Sequence, residues 1–184
     1  MLPTPRPATS CRSPRPVAFP SPDGALTALV IPADPSLYAT PDMESRVVII
    51  KGQVKGRAKG NTRGGPEIRG DAIRAAKDYS SPHGANGYYV VHARWSPDSQ
   101  YFVYSLSSSG GHSPWQSPMA VYACAANEFA NFSDLIGGEP TLSPNFTMTG
   151  AHRVVATTWR DHDIAKPKTV TVDLQEAWSK RPAP

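Results

Sequence analysis

Ser96-Pro97-Asp98-Ser99 lies between Trp95 and the apolar run Tyr101-Phe102-Val103-Tyr104-Ser105, and Ser21-Pro22-Asp23-Gly24 precedes Leu26-Thr27-Ala28-Leu29-Val30-Ile31 in the same grammar. The tetrapeptide makes a tight turn for mechanical reasons. Proline presets φ at the first corner, aspartate bonds its own backbone, and glycine or serine tolerates the second corner. Two copies of turn plus strand argue for a repeated supersecondary unit. The copies also agree in length: Asp23 to Val47 is 24 residues and Asp98 to Ala120 is 22.

That constraint fixes the class. Twenty prolines and 14 glycines in 184 residues are more than helix interiors tolerate, and the Val, Thr, Tyr and Ile clusters favour strands. An all-β chain with one core and little helix is expected, running from about Val17 to about Trp178. Residues 1–16 are rich in proline and arginine and read as an extended tail, as do residues 179–184. The first unit spans about 17–51 and the second about 88–135. A third, degraded unit spans about 141–174. There Thr141-Leu142-Ser143-Pro144-Asn145 resembles the turn, Phe146 to Ala151 separates it from a strand at His152 to Trp159, and a loop of Arg160 to Pro167 leads to a strand at Lys168 to Leu174. Between the first two units lies a basic, glycine-rich loop, 52–77, in which Ile73 to Asp78 has room for one helical turn.

Strand, Trp-Ser-Pro-Asp-Gly/Ser turn, apolar strand, glycine-rich loop, apolar strand resembles the blade signature of TolB-like β-propellers, relatives of the WD-repeat propellers. The residues that carry it are Trp95 to Ser99 with Tyr101 to Ser105, and Ser21 to Gly24 with Leu26 to Ile31. The resemblance covers about half the chain. It implies two to three antiparallel propeller-like blades, and because propellers close with about 4 to 8 blades, an incomplete or open propeller. Open blade edges would allow self-association. The same turn occurs in translocation proteins and in peptidase propellers, so it speaks for fold more than for function.

Candidate chemistry is sparse. Gly111-His112-Ser113-Pro114-Trp115 begins like a nucleophile elbow, but Trp115 replaces the second glycine and Pro114 removes a wanted N–H, so a flexible loop is the better account. Asp161-His162-Asp163 has suitable ligand types for a divalent ion, yet no second cluster has ligand spacing, so no metal and no cofactor are expected. Lys55, Arg57, Lys59 and Arg63 lie among glycines and are candidate polyanion contacts; without interleaved aromatics a linker is favoured and nucleic acid is not an expected partner. Trp95, Tyr101 and Trp115 are candidate ligand or interface residues, although alternation along strands puts about half of the aromatics in the core. Ser21, Pro22, Asp23, Gly24, Ser96, Pro97, Asp98 and Ser99 are read as structural turn residues.

Cys11 falls in the tail and Cys124 in an apolar run, so Cys124 reads as a small hydrophobe rather than half of a disulfide. Asn131-Phe132-Ser133 and Asn145-Phe146-Thr147 match the glycosylation sequon, a match that short sequences reach by chance. No apolar stretch approaches the roughly 20 residues of a membrane span. A soluble chain is expected, periplasmic or secreted if a signal segment is missing and cytoplasmic otherwise. The functional expectation is a non-catalytic scaffold that presents loops to a protein or small ligand. The alternative is the substrate-gating propeller portion of a prolyl-oligopeptidase-like serine hydrolase whose catalytic domain lies outside this sequence.

Overall fold

The apolar, β-branched runs form strands wherever a turn or a loop lets them pair. A computed structural model describes residues 16–32, 44–52, 71–76, 87–108, 116–160 and 163–181. Sheet 1 holds β1 (Val17–Pro20), β2 (Leu26–Pro32), β3 (Ser45–Lys51) and β4 (Ala72–Ala75), antiparallel and in chain order. Sheet 2 repeats the meander with β5 (Tyr88–Trp95), β6 (Tyr101–Ser108), β7 (Met119–Ala123) and β8 (Glu128–Asn131), and continues into the short helix α1 (Phe132–Leu135). Sheet 3 holds β9 (Thr147–Thr149), β10 (Arg153–Arg160) and β11 (Asp163–Asp173), in the order β11-β10-β9, and ends in α2 (Leu174–Ser179). Among the described residues the chain is mostly β, in three open antiparallel sheets.

The sheets stack because the middle one has no polar face. Tyr101, Phe102, Val103, Tyr104, Ser105 and Leu106 of β6 are all buried, so successive side chains, which point to opposite faces, need cover on both sides. On one side Phe102, Tyr104, Leu106 and Tyr122 pack with Ala28, Val30, Val47 and Ile49 of sheet 1. On the other, Tyr101, Val103, Met119 and Val121 pack with Val154, Ala156 and Val172 of sheet 3, and Phe132, Phe146 and Leu174 complete that layer. The outermost faces differ. Sheet 3 turns the exposed Thr147, Thr149, Thr169 and Thr171 outward, whereas the far face of sheet 1 carries the buried Leu29, Val48 and Ile50.

Polar bonds fix the register between sheets 1 and 2. Trp95 Nε1 donates to the Phe19 carbonyl (2.7 Å) and the Val90 N–H donates to Ser45 Oγ (2.9 Å). Trp95 is thus a core residue between two sheets, 6% exposed, with its ring against Phe102 and Tyr122. A bulge between Val90 and His92 leaves Val91 unpaired and 45% exposed on the free edge of β5.

Three local expectations are corrected. The helical turn at Ile73 to Asp78 gives way to β4, because pairing of Val48, Ile49 and Ile50 with Ala75, Arg74 and Ala72 satisfies a backbone that an isolated helical turn could not. Phe146 to Ala151 is no separator: it contains β9, and Gly150, at φ +61°, turns the chain into β10, so Ser143-Pro144-Asn145 precedes the sheet instead of joining two of its strands. The long loop from Arg160 to Pro167 is largely strand, since β11 starts at Asp163, which pairs with Arg160.

At the start of β5 the backbone of Gly87 lies against the buried side chain of Glu44, which is 2% exposed; a Cβ there would sit 1.9 Å from Glu44 Cδ. Gly87→Ala is therefore expected to destabilise the fold by about 1–3 kcal/mol, the usual cost of overpacking. The cost should shrink in a Glu44→Ala background, and chemical denaturation of the four proteins of this cycle measures it. Equal costs in both backgrounds would mean that the carboxylate simply moves aside.

Candidate functional site

The two Ser-Pro-Asp turns share the same core set of hydrogen bonds. In each, serine Oγ donates to aspartate Oδ1 (2.6 Å at Ser21, 2.5 Å at Ser96), and that oxygen accepts the N–H two residues on (3.0 Å from Ala25, 3.1 Å from Gln100). The serine Oγ accepts the N–H five residues on (3.0 Å from Leu26, 2.9 Å from Tyr101), and the serine N–H closes the turn on the carbonyl of that same residue. An offset of 75 residues maps Asp23 on Asp98 and Leu29 on Tyr104. The fourth position is left-handed in both, φ +72° at Gly24 and +62° at Ser99. Glycine adopts this freely, whereas serine does so at a cost of about 1–2 kcal/mol. Ser99 has a use there: its Oγ accepts the N–H of Asp23 (3.0 Å) and ties the second turn to the first.

The relay continues into sheet 3 through a residue the sequence did not single out. His152, in the turn between β9 and β10, sits between two carboxylates, with Nδ1 2.9 Å from Asp98 Oδ2 and Nε2 3.3 Å from Asp173 Oδ1. Asp173 caps α2 by accepting the Glu176 N–H (3.2 Å) and also meets Arg153 Nε (3.5 Å). The ring thus bridges the turn aspartate of sheet 2 and the aspartate that ends β11. Burial pushes the Asp98 carboxyl up, but the Ser96 hydroxyl, the Gln100 N–H and His152 outweigh it and hold it below the ordinary value. The Glu176 N–H, followed by His152 and Arg153, holds Asp173 low against a smaller opposing effect of burial.

Around this trio opens a pocket of about 500 Å³, walled by Tyr101 and Trp178, floored by Ala123, Ala125 and Ala126, and edged by Gln100 and Gln175 with Asp98 and His152. Tyr101 stands 6.3 Å from the His152 ring and 6.4 Å from Trp178, centroid to centroid. Burial, with the Asp98 and Asp173 charges, raises the Tyr101 phenol and keeps it protonated. Arg181 stacks over Trp178 at 4.9 Å and is itself held by Glu128 (2.9 Å), which fixes the indole. Cys124 is a free thiol whose Sγ lies 3.1 Å from the Ser99 carbonyl; burial and the nearby Asp23 and Asp98 push it up to about 11, far from a reactive thiolate.

Both imidazole nitrogens face carboxylates, and Ser96 Oγ is bonded to Asp98 and not to the ring. Nor do the lone pairs converge on a cation, since the ring lies between the two carboxylates; among the described residues no group of three or more His, Cys, Asp or Glu is set to hold a metal ion. Among those residues, too, no helix is long and apolar enough to cross a membrane.

Of the residues singled out from sequence, Asp98 and Tyr101 come together at the pocket, Trp95 lies in the core, and Asp23 stands on the neighbouring turn. Trp115, Lys55, Arg57, Lys59, Arg63 and Ser113 lie outside the described residues. So do Asp161 and His162, while Asp163 is engaged by Lys166 (2.9 Å) and the Ala165 N–H (2.9 Å). His152, Asp173, Gln175 and Trp178 were missed. The signal was present: Asp173 with Glu176 three residues later is a helix-start pattern, and it places Trp178 on the first turns of a helix. No protein-family model and no curated protein matches the chain, so the reading of the site rests on its geometry.

Two outcomes test the trio. Asp98→Ala should cost about 1–2 kcal/mol, because three bonds are lost at a position solvent partly screens, and Asp23→Ala should cost less, having no histidine to hold; thermal melts compare them. The sign of the acid dependence follows from the depressed carboxyls. Their folded values lie below the unfolded one, about 3.9, so their stabilisation is complete above it and is lost as pH falls through the folded values. The melting temperature should therefore drop below about pH 4, and Asp98→Asn should flatten that drop. An unchanged acid limb in Asp98→Asn would remove Asp98 from the account.

Proposed function

We propose that this chain is a segment of a TolB-like β-propeller that acts as a non-catalytic scaffold and takes a ligand at the rim of its sheets. The observation that carries the reading is the repetition of the same core hydrogen bonds in the Ser-Pro-Asp turn between the first two strands of consecutive sheets. The four-stranded meanders of sheets 1 and 2, stacked face to face in chain order, support it, since a blade is such a meander packed on its neighbour. The pocket between the second turn and α2 supplies the binding site that a scaffold of this kind needs.

The competing reading is the gating portion of a prolyl-oligopeptidase-like hydrolase. Its chemistry would lie in a further domain, and the sequence at Gly111 to Trp115 lacks the second glycine and the N–H an elbow requires. Intact-mass analysis after treatment with a fluorophosphonate is expected to find no adduct on the purified chain, and coding DNA past Pro184 is expected to hold further Ser-Pro-Asp units. An adduct on Ser113 would end the non-catalytic reading, and a downstream Gly-x-Ser-x-Gly domain would favour the gate.

A further inference from the structure

The charged and titratable groups at the rim pocket are already engaged with one another. Asp98 Oδ1 accepts the Ser96 hydroxyl and the Gln100 N–H, and its Oδ2 faces His152. The second nitrogen of His152 is spent on Asp173, whose remaining oxygen meets Arg153. Arg181, the cation nearest the Trp178 ring, is committed to Glu128. Asp98 is thus engaged through both oxygens, and among the described residues no unpartnered charged side chain lines the pocket. A cationic guest finds no open carboxylate here, and an anionic guest finds no open cation; either would leave its charge desolvated without a partner.

What the walls do offer is one wide aromatic face and two neutral amides. Trp178 is partly exposed and held in orientation by Arg181 and by Tyr101 at 6.4 Å. Gln100 and Gln175 are both exposed at the edge; the Gln100 amide makes one long contact, 3.4 Å from its Nε2 to the Asp98 carbonyl, and among the described residues the Gln175 amide makes none. Each amide presents a donor pair beside an acceptor, the pattern that neighbouring hydroxyls match. An indole face, electron-rich at its centre, receives the polarised C–H bonds of a ring lying flat on it. The three floor alanines leave room without adding polarity, and the volume of about 500 Å³ falls in the usual range for a small-molecule site. An extended peptide is less well served, because β6 and β7, which reach the pocket at Tyr101 and Ala123, are each paired on both sides and offer no free ladder.

From this geometry we infer that the rim pocket binds an uncharged saccharide, a pyranose ring laid on Trp178 with its hydroxyls bonded by Gln100 and Gln175. The inference rests on the binding-scaffold reading above and names its ligand class. Recognition by one ring face and two amides is weak, so occupancy is expected at about millimolar sugar.

Saturation-transfer NMR on the full chain, with glucose, galactose, N-acetylglucosamine and their β-linked disaccharides as probes, tests it. At least one probe should show transfer, and raised salt should leave the signal unchanged because no ion pair is made. Trp178→Ala should weaken binding by about tenfold or more. Gln175→Ala, at an exposed and unbonded side chain, keeps the fold and should weaken it several-fold, while Gln116→Ala, in a separate pocket beside Thr141, should change nothing. Absence of transfer from every probe, or transfer that survives Gln175→Ala and Trp178→Ala unchanged, overturns the assignment. So does a proline-rich peptide that shows transfer at this pocket where no sugar does; in that case the scaffold reading stands and only the ligand class falls. Hydrolysis of a bound disaccharide would do the reverse, keeping the saccharide and ending the non-catalytic reading.

Discussion

Both faces of β6 are buried, and the rest of the molecule is arranged around that fact. Six consecutive residues, Tyr101 to Leu106, are shielded from water, so the strand must be covered by a layer on each side. Sheet 1 supplies one cover through Ala28, Val30, Val47 and Ile49, and sheet 3 the other through Val154, Ala156 and Val172. Burying an aliphatic or aromatic side chain stabilises a fold by about 1.5–3 kcal/mol, and the many buried here together outweigh any single turn or ion pair. Packing therefore sets the stack, and the polar bonds decide its alignment.

That alignment is read off the rim. Ser99 Oγ against the Asp23 N–H couples sheets 1 and 2, and Asp98 against His152 couples sheets 2 and 3. The same residue type, a turn aspartate, is a local staple in the first copy and an inter-sheet anchor in the second, because only the second has a histidine opposite it. The pocket is a product of the same geometry. Once Asp173 is drawn to His152 it caps α2, and α2 delivers Trp178 and Gln175 beside Tyr101.

The all-β class, the equivalent turns and the buried runs of β2, β6 and β7 were legible in the sequence because turn chemistry and hydrophobic runs are local signals. Leu29 and Tyr104 occupy the same place in their sheets, as the spacing from Asp23 and Asp98 requires. What escaped is non-local. Nothing near Ala72 to Ala75 says that β3 needs a fourth strand, and the short β9 hides between a proline-containing segment and a glycine. Trp95 has the composition of a ligand contact, but its indole N–H is claimed by the Phe19 carbonyl 76 residues earlier. His152 resembles an isolated histidine until folding brings it to carboxylates 54 residues before it and 21 after it in the chain.

Native-state hydrogen exchange tests the two-sided burial of β6 most directly. If the stack is one cooperative unit built on that strand, the β6 and β7 amides exchange last, at a rate set by global unfolding, and those of sheets 1 and 3 lose protection no later. If sheet 1 or sheet 3 keeps its protection while β6 exchanges, that sheet stands without the middle one and β6 is not what holds the fold together.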